Sequence, residues 1–132
     1  MLAADTNLLV RVVTEDDAEQ SPKARRILAE NPIFISKTVL LETEWVLRRG
    51  SYRLPKNEVL GHLRNFARLP QITLEDPMQV AQAFTWAEQG MDFADALHLA
   101  AAEREGCDAF ASFDRKLIAG ARKARAFKVR AL

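Results

Sequence analysis

Four carboxylates stand where apolar stretches of this chain end or break. Asp5 closes the run Leu2-Ala3-Ala4, and Glu42 follows Val39-Leu40-Leu41. Asp95 lies in Asp92-Phe93-Ala94-Asp95-Ala96-Leu97, and Asp114 ends Phe110-Ala111-Ser112-Phe113. An acid at a strand-to-helix junction sits at the rim of an α/β sheet, where such folds hold their ligands. Four carboxylates drawn together repel one another unless cations hold them, and an all-oxygen donor set suits Mg²⁺ or Mn²⁺. Ions held this way can activate water and stabilise a leaving oxygen. Two of them about 3.5–4 Å apart serve both ends of a phosphodiester hydrolysis. Whether one ion or two bind is left open by the residues.

Taken singly, each acid has a plainer reading. Asp5 and Asp114 can cap the helices that follow them. Asp92 and Asp95, three apart at a helix start, resemble a capping box with Asp in place of Glu. Glu42 stands inside an apolar helix, where a buried carboxylate is costly unless paired or metal-bound. Glu44 is two positions on, about 200° round the helix, so the two glutamates do not face one site. Periodicity does not choose between them, because the helix is apolar nearly all round and expected to be largely buried. Glu44 can form an ordinary surface ion pair with Arg48, which leaves Glu42 as the better site candidate. Jointly the acids mean more. Asp5 and Asp114 follow parallel-type strands and emerge at the same sheet edge, Asp95 begins a helix returning to it, and Glu42 is near the start of another.

The elements that must position them alternate. Short strands are expected at Leu2–Ala4, Ile33–Ile35, Ile72–Leu74, Ala109–Phe113 and Phe127–Val129. Helices are expected at Asn7–Val13, Asp16–Glu30, Val39–Arg49, Pro55–Leu69, Pro77–Gln89, from Asp92 or Phe93 to Glu105, and at Leu117–Ala124. Ser36 or Thr38 caps the third helix. Helices alternating with apolar strands indicate a parallel sheet covered on both faces.

With 132 residues, 48% hydrophobic and 28% charged, the chain has the makings of one folded domain with one core. Its single cysteine, Cys107, excludes an internal disulfide, reads as a packing residue and suits a cytoplasmic location. His62, His98 and Cys107 lack zinc-ligand spacing. No apolar run is long enough to span a membrane, and no signal peptide is read at the N-terminus. The net charge of +1 is unevenly spread: from Asp114 onward seven basic residues face one acid. Arg115, Lys116, Arg122 and Lys123, with Arg125, Lys128 and Arg130, are candidates for holding a polyanion, against the plain alternative of a solvated surface. His98 reads as a core or helix-face residue, and Trp45 and Trp86 as core or interface.

The segments Asp5-Thr6-Asn7-Leu8-Leu9, Val39-Leu40-Leu41-Glu42, Asp92-Phe93-Ala94-Asp95-Ala96-Leu97 and Ser112-Phe113-Asp114, in this order and spacing, resemble a PIN domain. Within that superfamily the chain looks like the VapC toxins of VapBC-type toxin–antitoxin pairs, over essentially its whole length. The resemblance implies a three-layer α/β/α fold with a short, mainly parallel central sheet, in a single domain over residues 1–132. It implies a Mg²⁺- or Mn²⁺-dependent endoribonuclease. Asp5, Glu42, Asp95 and Asp114 would be catalytic and metal-binding, with Asp92 an accessory ligand and Thr6, Asn7 and Ser112 orienting the acids. A homodimer, and an antitoxin placing a basic side chain in the acidic groove, are implied with it. The alternatives are a PIN fold that binds RNA or protein without cleaving, and a phosphotransferase with Asp5 as nucleophile. The latter usually wants a second carboxylate two residues on, where this chain has Asn7.

Overall fold

A computed structural model describes residues 1–132. The chain runs β1 (Leu2–Ala3), α1 (Thr6–Thr14), α2 (Gln20–Glu30), β2 (Ile33–Ile35), α3 (Lys37–Arg49), α4 (Lys56–Arg68), β3 (Ile72–Leu74), α5 (Pro77–Glu88), α6 (Phe93–Arg104), β4 (Phe110–Ser112), α7 (Arg115–Ala124) and β5 (Val129–Ala131). It forms two compact units, Met1–Glu75 and Asp76–Leu132. Every strand pairing in both is parallel, so the α/β class expected from the alternation holds.

The first unit carries the sheet order β1-β2-β3, with Leu2 opposite Ile33 and Ile33 opposite Ile72. Parallel neighbours need long crossovers. The pair α1–α2 supplies one and α3–α4 the other. Ile33 and Ile35 are fully buried while Phe34 between them is not, the period of two that a strand imposes. Around them the core gathers Leu9, Val10, Leu40, Leu47, Val59 and Leu63. Helix α2 begins at Gln20, four residues later than the pattern suggested. The segment before it is held by side chains instead. Asp17 Oδ1 accepts from the amides of Glu19 and Gln20, and Asp16 accepts from Thr14 Oγ1 and Tyr52 Oη, both at 2.7 Å. Aspartates that bond nearby amides draw the backbone away from helix.

In the second unit β4 pairs with β5, Phe110 opposite Val129. Pro77 opens α5, where a missing N–H costs nothing. Helix α5 packs against α6, and the Phe84 ring stacks on Phe93 with centroids 5.3 Å apart. Gly90, between these helices, has φ +120, and a β-carbon there would meet the Lys123 stem at 3.0 Å. Strand β5 lies two residues later than the triplet Phe127-Lys128-Val129 suggested, because the register opposite β4 takes Val129–Ala131. Phe127 instead lines a cavity with Ile118. No helix is long and apolar enough to cross a membrane.

Candidate active site

In the first unit Asp5 is the N-cap of α1, its Oδ1 accepting from the Leu8 amide at 2.9 Å. The capping reading is therefore correct. It uses one carboxylate oxygen and leaves the exposed side chain a second. Thr6 beside it is buried, and its Oγ1 has no hydrogen-bond partner; Asn7 is exposed. Ser36 caps α3 by accepting from the Val39 amide at 3.2 Å, and it also bonds Thr38.

Helix α3 corrects the expectation for the two glutamates. It is not buried all round: one stripe, Leu40, Thr43, Glu44 and Leu47, is inside, while Glu42, Trp45 and Arg49 are exposed. Glu44 is 1% exposed and Glu42 lies on the open face. The Glu44–Arg48 pair does form, but it is a buried pair and not a surface one. The reason is the i, i+3, i+4, i+7 spacing of the buried stripe, which puts position 44 inside and position 42 outside. Glu42 is thus available to bind a ligand, and Glu44 is committed to Arg48.

The second unit brings three acids into mutual influence. Asp92 caps α6, with Oδ2 accepting from the Asp95 amide at 3.3 Å, which is half of the capping box expected. Asp114 caps α7, with Oδ1 accepting from the amides of Lys116 and Leu117 at 2.9 and 3.2 Å. Ser112 holds the turn before it, its Oγ accepting from the Asp114 amide at 2.9 Å, so a polar residue does orient this acid. The Asp95 carboxyl is raised from its ordinary value, first by desolvation, then by the negative charges of Asp92 and Asp114, with His98 pulling the other way. His98 itself is exposed on the helix face.

These donors fit a hard divalent cation by their chemistry. All are oxygens, Asp95 carries the cost of like charges that a cation would relieve, and the Thr6 hydroxyl beside Asp5 lacks the partner a buried polar group normally has. Neither unit by itself gathers three His, Cys, Asp or Glu side chains closely enough for a complete ion cage.

The basic candidates Arg115, Lys116, Arg122 and Lys123 are all exposed. Arg122 joins Arg125 and Lys128 around a cavity of about 260 Å³ floored by Ile118 and Phe127. Trp86 is core, as expected, whereas Trp45 is 58% exposed. Cys107 is exposed, which corrects the packing role read for it: the turn after α6 leaves it outside. Phe113, read as part of a strand, is 80% exposed and was not singled out by its sequence setting.

Comparison with known proteins agrees with the residues. The PIN domain family model matches residues 3–123. The chain therefore belongs to the PIN domain family, the resemblance drawn from its four acidic segments is correct, and the α/β/α fold class and ribonuclease hydrolase class go with it. No curated protein matches. Among solved structures the chain is similar to VapC20 of Mycobacterium tuberculosis, described as a toxin cleaving the sarcin-ricin loop. The identity is 22%, the TM-score 0.44, and the match covers 90% of this chain and 94% of that one.

Proposed function

We propose that this chain is a divalent-metal-dependent endoribonuclease of the VapC kind, the toxin of a toxin–antitoxin pair, with residues 1–132 acting as one PIN domain in the cytoplasm. The family match carries this reading: it spans residues 3–123 and so contains Asp5, Glu42, Asp95 and Asp114 together. Asp5, Asp95, Asp114 and Glu42 would hold Mg²⁺ or Mn²⁺, with Asp92 as an accessory ligand. When bound, one or two such ions supply a water of lowered pKa and a counter-charge for the leaving oxygen.

The remaining work falls to the chain. Asp5 and Asp114 each spend one oxygen on a helix cap, which fixes the carboxylate and keeps its other oxygen for a ligand. Ser112 fixes the turn that presents Asp114, and Thr6 and Asn7 directly follow Asp5. Asp95 holds its proton more tightly than an ordinary carboxyl, and a bound cation would favour its ionised form. Arg115, Lys116, Arg122 and Lys123 would bind RNA phosphates, giving affinity without sequence choice. A homodimer is part of the reading, and the exposed Trp45 supports an apolar contact surface for it. The antitoxin would present a basic side chain, Arg above all, to the carboxylates.

The test is cleavage of total bacterial RNA by purified, antitoxin-free protein with Mg²⁺ or Mn²⁺, then with EDTA, beside Asp5→Asn. Discrete metal-dependent fragments missing from the variant are expected. Folded protein that leaves the RNA intact would instead favour a binding module.

A further inference from the structure

Phe113 is the only exposed one among the seven phenylalanines, at 80% of its full accessibility. Apolar side chains stand exposed singly on most protein surfaces, so the meaning of this one lies in its setting. Before it stands Ser112, after it Asp114, a proposed ligand of the reacting centre, and then the exposed cations Arg115 and Lys116. The backbone on either side is pinned. The Leu132 amide donates to Ser112 O at 3.0 Å, the Asp114 amide to Ser112 Oγ, and Asp114 in turn caps α7. The ring is thus carried on a fixed turn, at small cost in backbone entropy on binding.

An exposed aromatic ring followed two and three positions on by exposed cations matches a single-stranded nucleic acid, which offers a flat base and a phosphate together. An apolar protein partner would use the ring but leave the adjoining positive charges without counterparts. We infer that Phe113 is the platform on which the base next to the scissile phosphate stacks, with Arg115 and Lys116 holding the flanking phosphates. This rests on the ribonuclease reading and adds to it a positioning residue for single-stranded RNA. Stacking tolerates any base, so Phe113 demands an unpaired nucleotide without choosing its identity.

The test follows from mapping the cut site in one short RNA. Wild type, Phe113→Ala, Phe113→Leu and Phe113→Trp are assayed with Mg²⁺ on that RNA and on versions made abasic on one or the other side of the cut. Phe113→Ala and Phe113→Leu are expected to raise KM about ten-fold or more, the range that stacking on one base provides, with a smaller change in kcat. Phe113→Trp should stay near wild type. At one of the two abasic positions wild type and Phe113→Ala should become equal. An unchanged KM in Phe113→Ala, full rescue by Leu, or an equal loss on intact and abasic RNA overturns the stacking role while leaving the nuclease standing. No cleavage by wild type on any RNA overturns both.

Discussion

Arg48 grips the carboxylate of Glu44 one turn earlier on α3, Nε to Oε1 and Nη2 to Oε2 at 3.4 Å, and Glu44 keeps only 1% exposure. Of the two glutamates on this helix, one is thus buried and paired while Glu42 lies on the open face. Removing one partner of a buried pair leaves an uncompensated charge, so Arg48→Met should destabilise the chain by about 3 kcal/mol in urea unfolding. Glu42→Gln, on the open face, should stay within about 0.5 kcal/mol of wild type yet lose cleavage. A stability loss for Glu42→Gln with activity kept would reverse the assignment.

Asp5 and Asp114 each cap a helix, so the substitution chosen decides what is measured. Asparagine caps as well as aspartate, whereas alanine forfeits about 1 kcal/mol. Asp5→Asn and Asp114→Asn should therefore melt near wild type while cleaving at least about 100-fold more slowly, some 2.7 kcal/mol of transition-state stabilisation. The alanine variants should show the same loss of rate and a lower Tm besides. Equal melting of the Asn and Ala variants would deny the caps any energetic weight.

The raised Asp95 carboxyl makes a statement about pH. Desolvation, then Asp92 and Asp114, hold its proton more tightly in the folded chain than in the unfolded one. The folded chain therefore bears no penalty when Asp95 is protonated. The penalty grows as pH climbs from the ordinary carboxyl value, 3.8, through the raised folded one, and is complete above it. In EDTA, Asp95→Asn should melt above wild type at about pH 7, with the difference vanishing near about pH 3. Calorimetry across that range decides it; a difference independent of pH would assign the effect to something other than this ionisation.

The exposed cations of α7 predict a steep salt dependence of RNA affinity. Replacing Arg115 or Lys116 by Gln should weaken binding on all sequences alike and reduce the slope of log affinity against log salt by about 1 each. A slope that does not change on these substitutions would return them to the solvated surface.

Tyr52 and Thr14 both donate to Asp16, and these two bonds, more than the Arg11 charge, hold its carboxyl below the ordinary value. Their contribution to stability is present above 3.8 and fades as pH falls through the lowered value. Tyr52→Phe should move the Asp16 titration upward, read by the carbon chemical shift of its carboxyl.

Most of the architecture was legible because strand and helix periods differ so plainly. Ile33–Ile35 and Ile72–Leu74 were placed to the residue, and each of the seven helices was anticipated. What failed had local causes. Asp16 and Asp17 bond nearby groups and so delay α2, a competition that hydrophobic period does not register. The face of α3 was obscured because its buried stripe includes Thr43 and Glu44 while Trp45 lies outside, against their polarities. Phe113 escaped for the same reason: an apolar residue at a strand end reads as core until its exposure is known.

In the proposed site Asp5 and Asp114 would each do two jobs with one side chain, and this sets how such a gene can change. A single nucleotide transition turns either aspartate codon into asparagine, which keeps the cap and loses the ligand. In a host burdened by the proposed activity, clones that escape it need not lose the protein. They would retain a folded, harmless descendant, and Asn at position 5 or 114 would be the mark of that history.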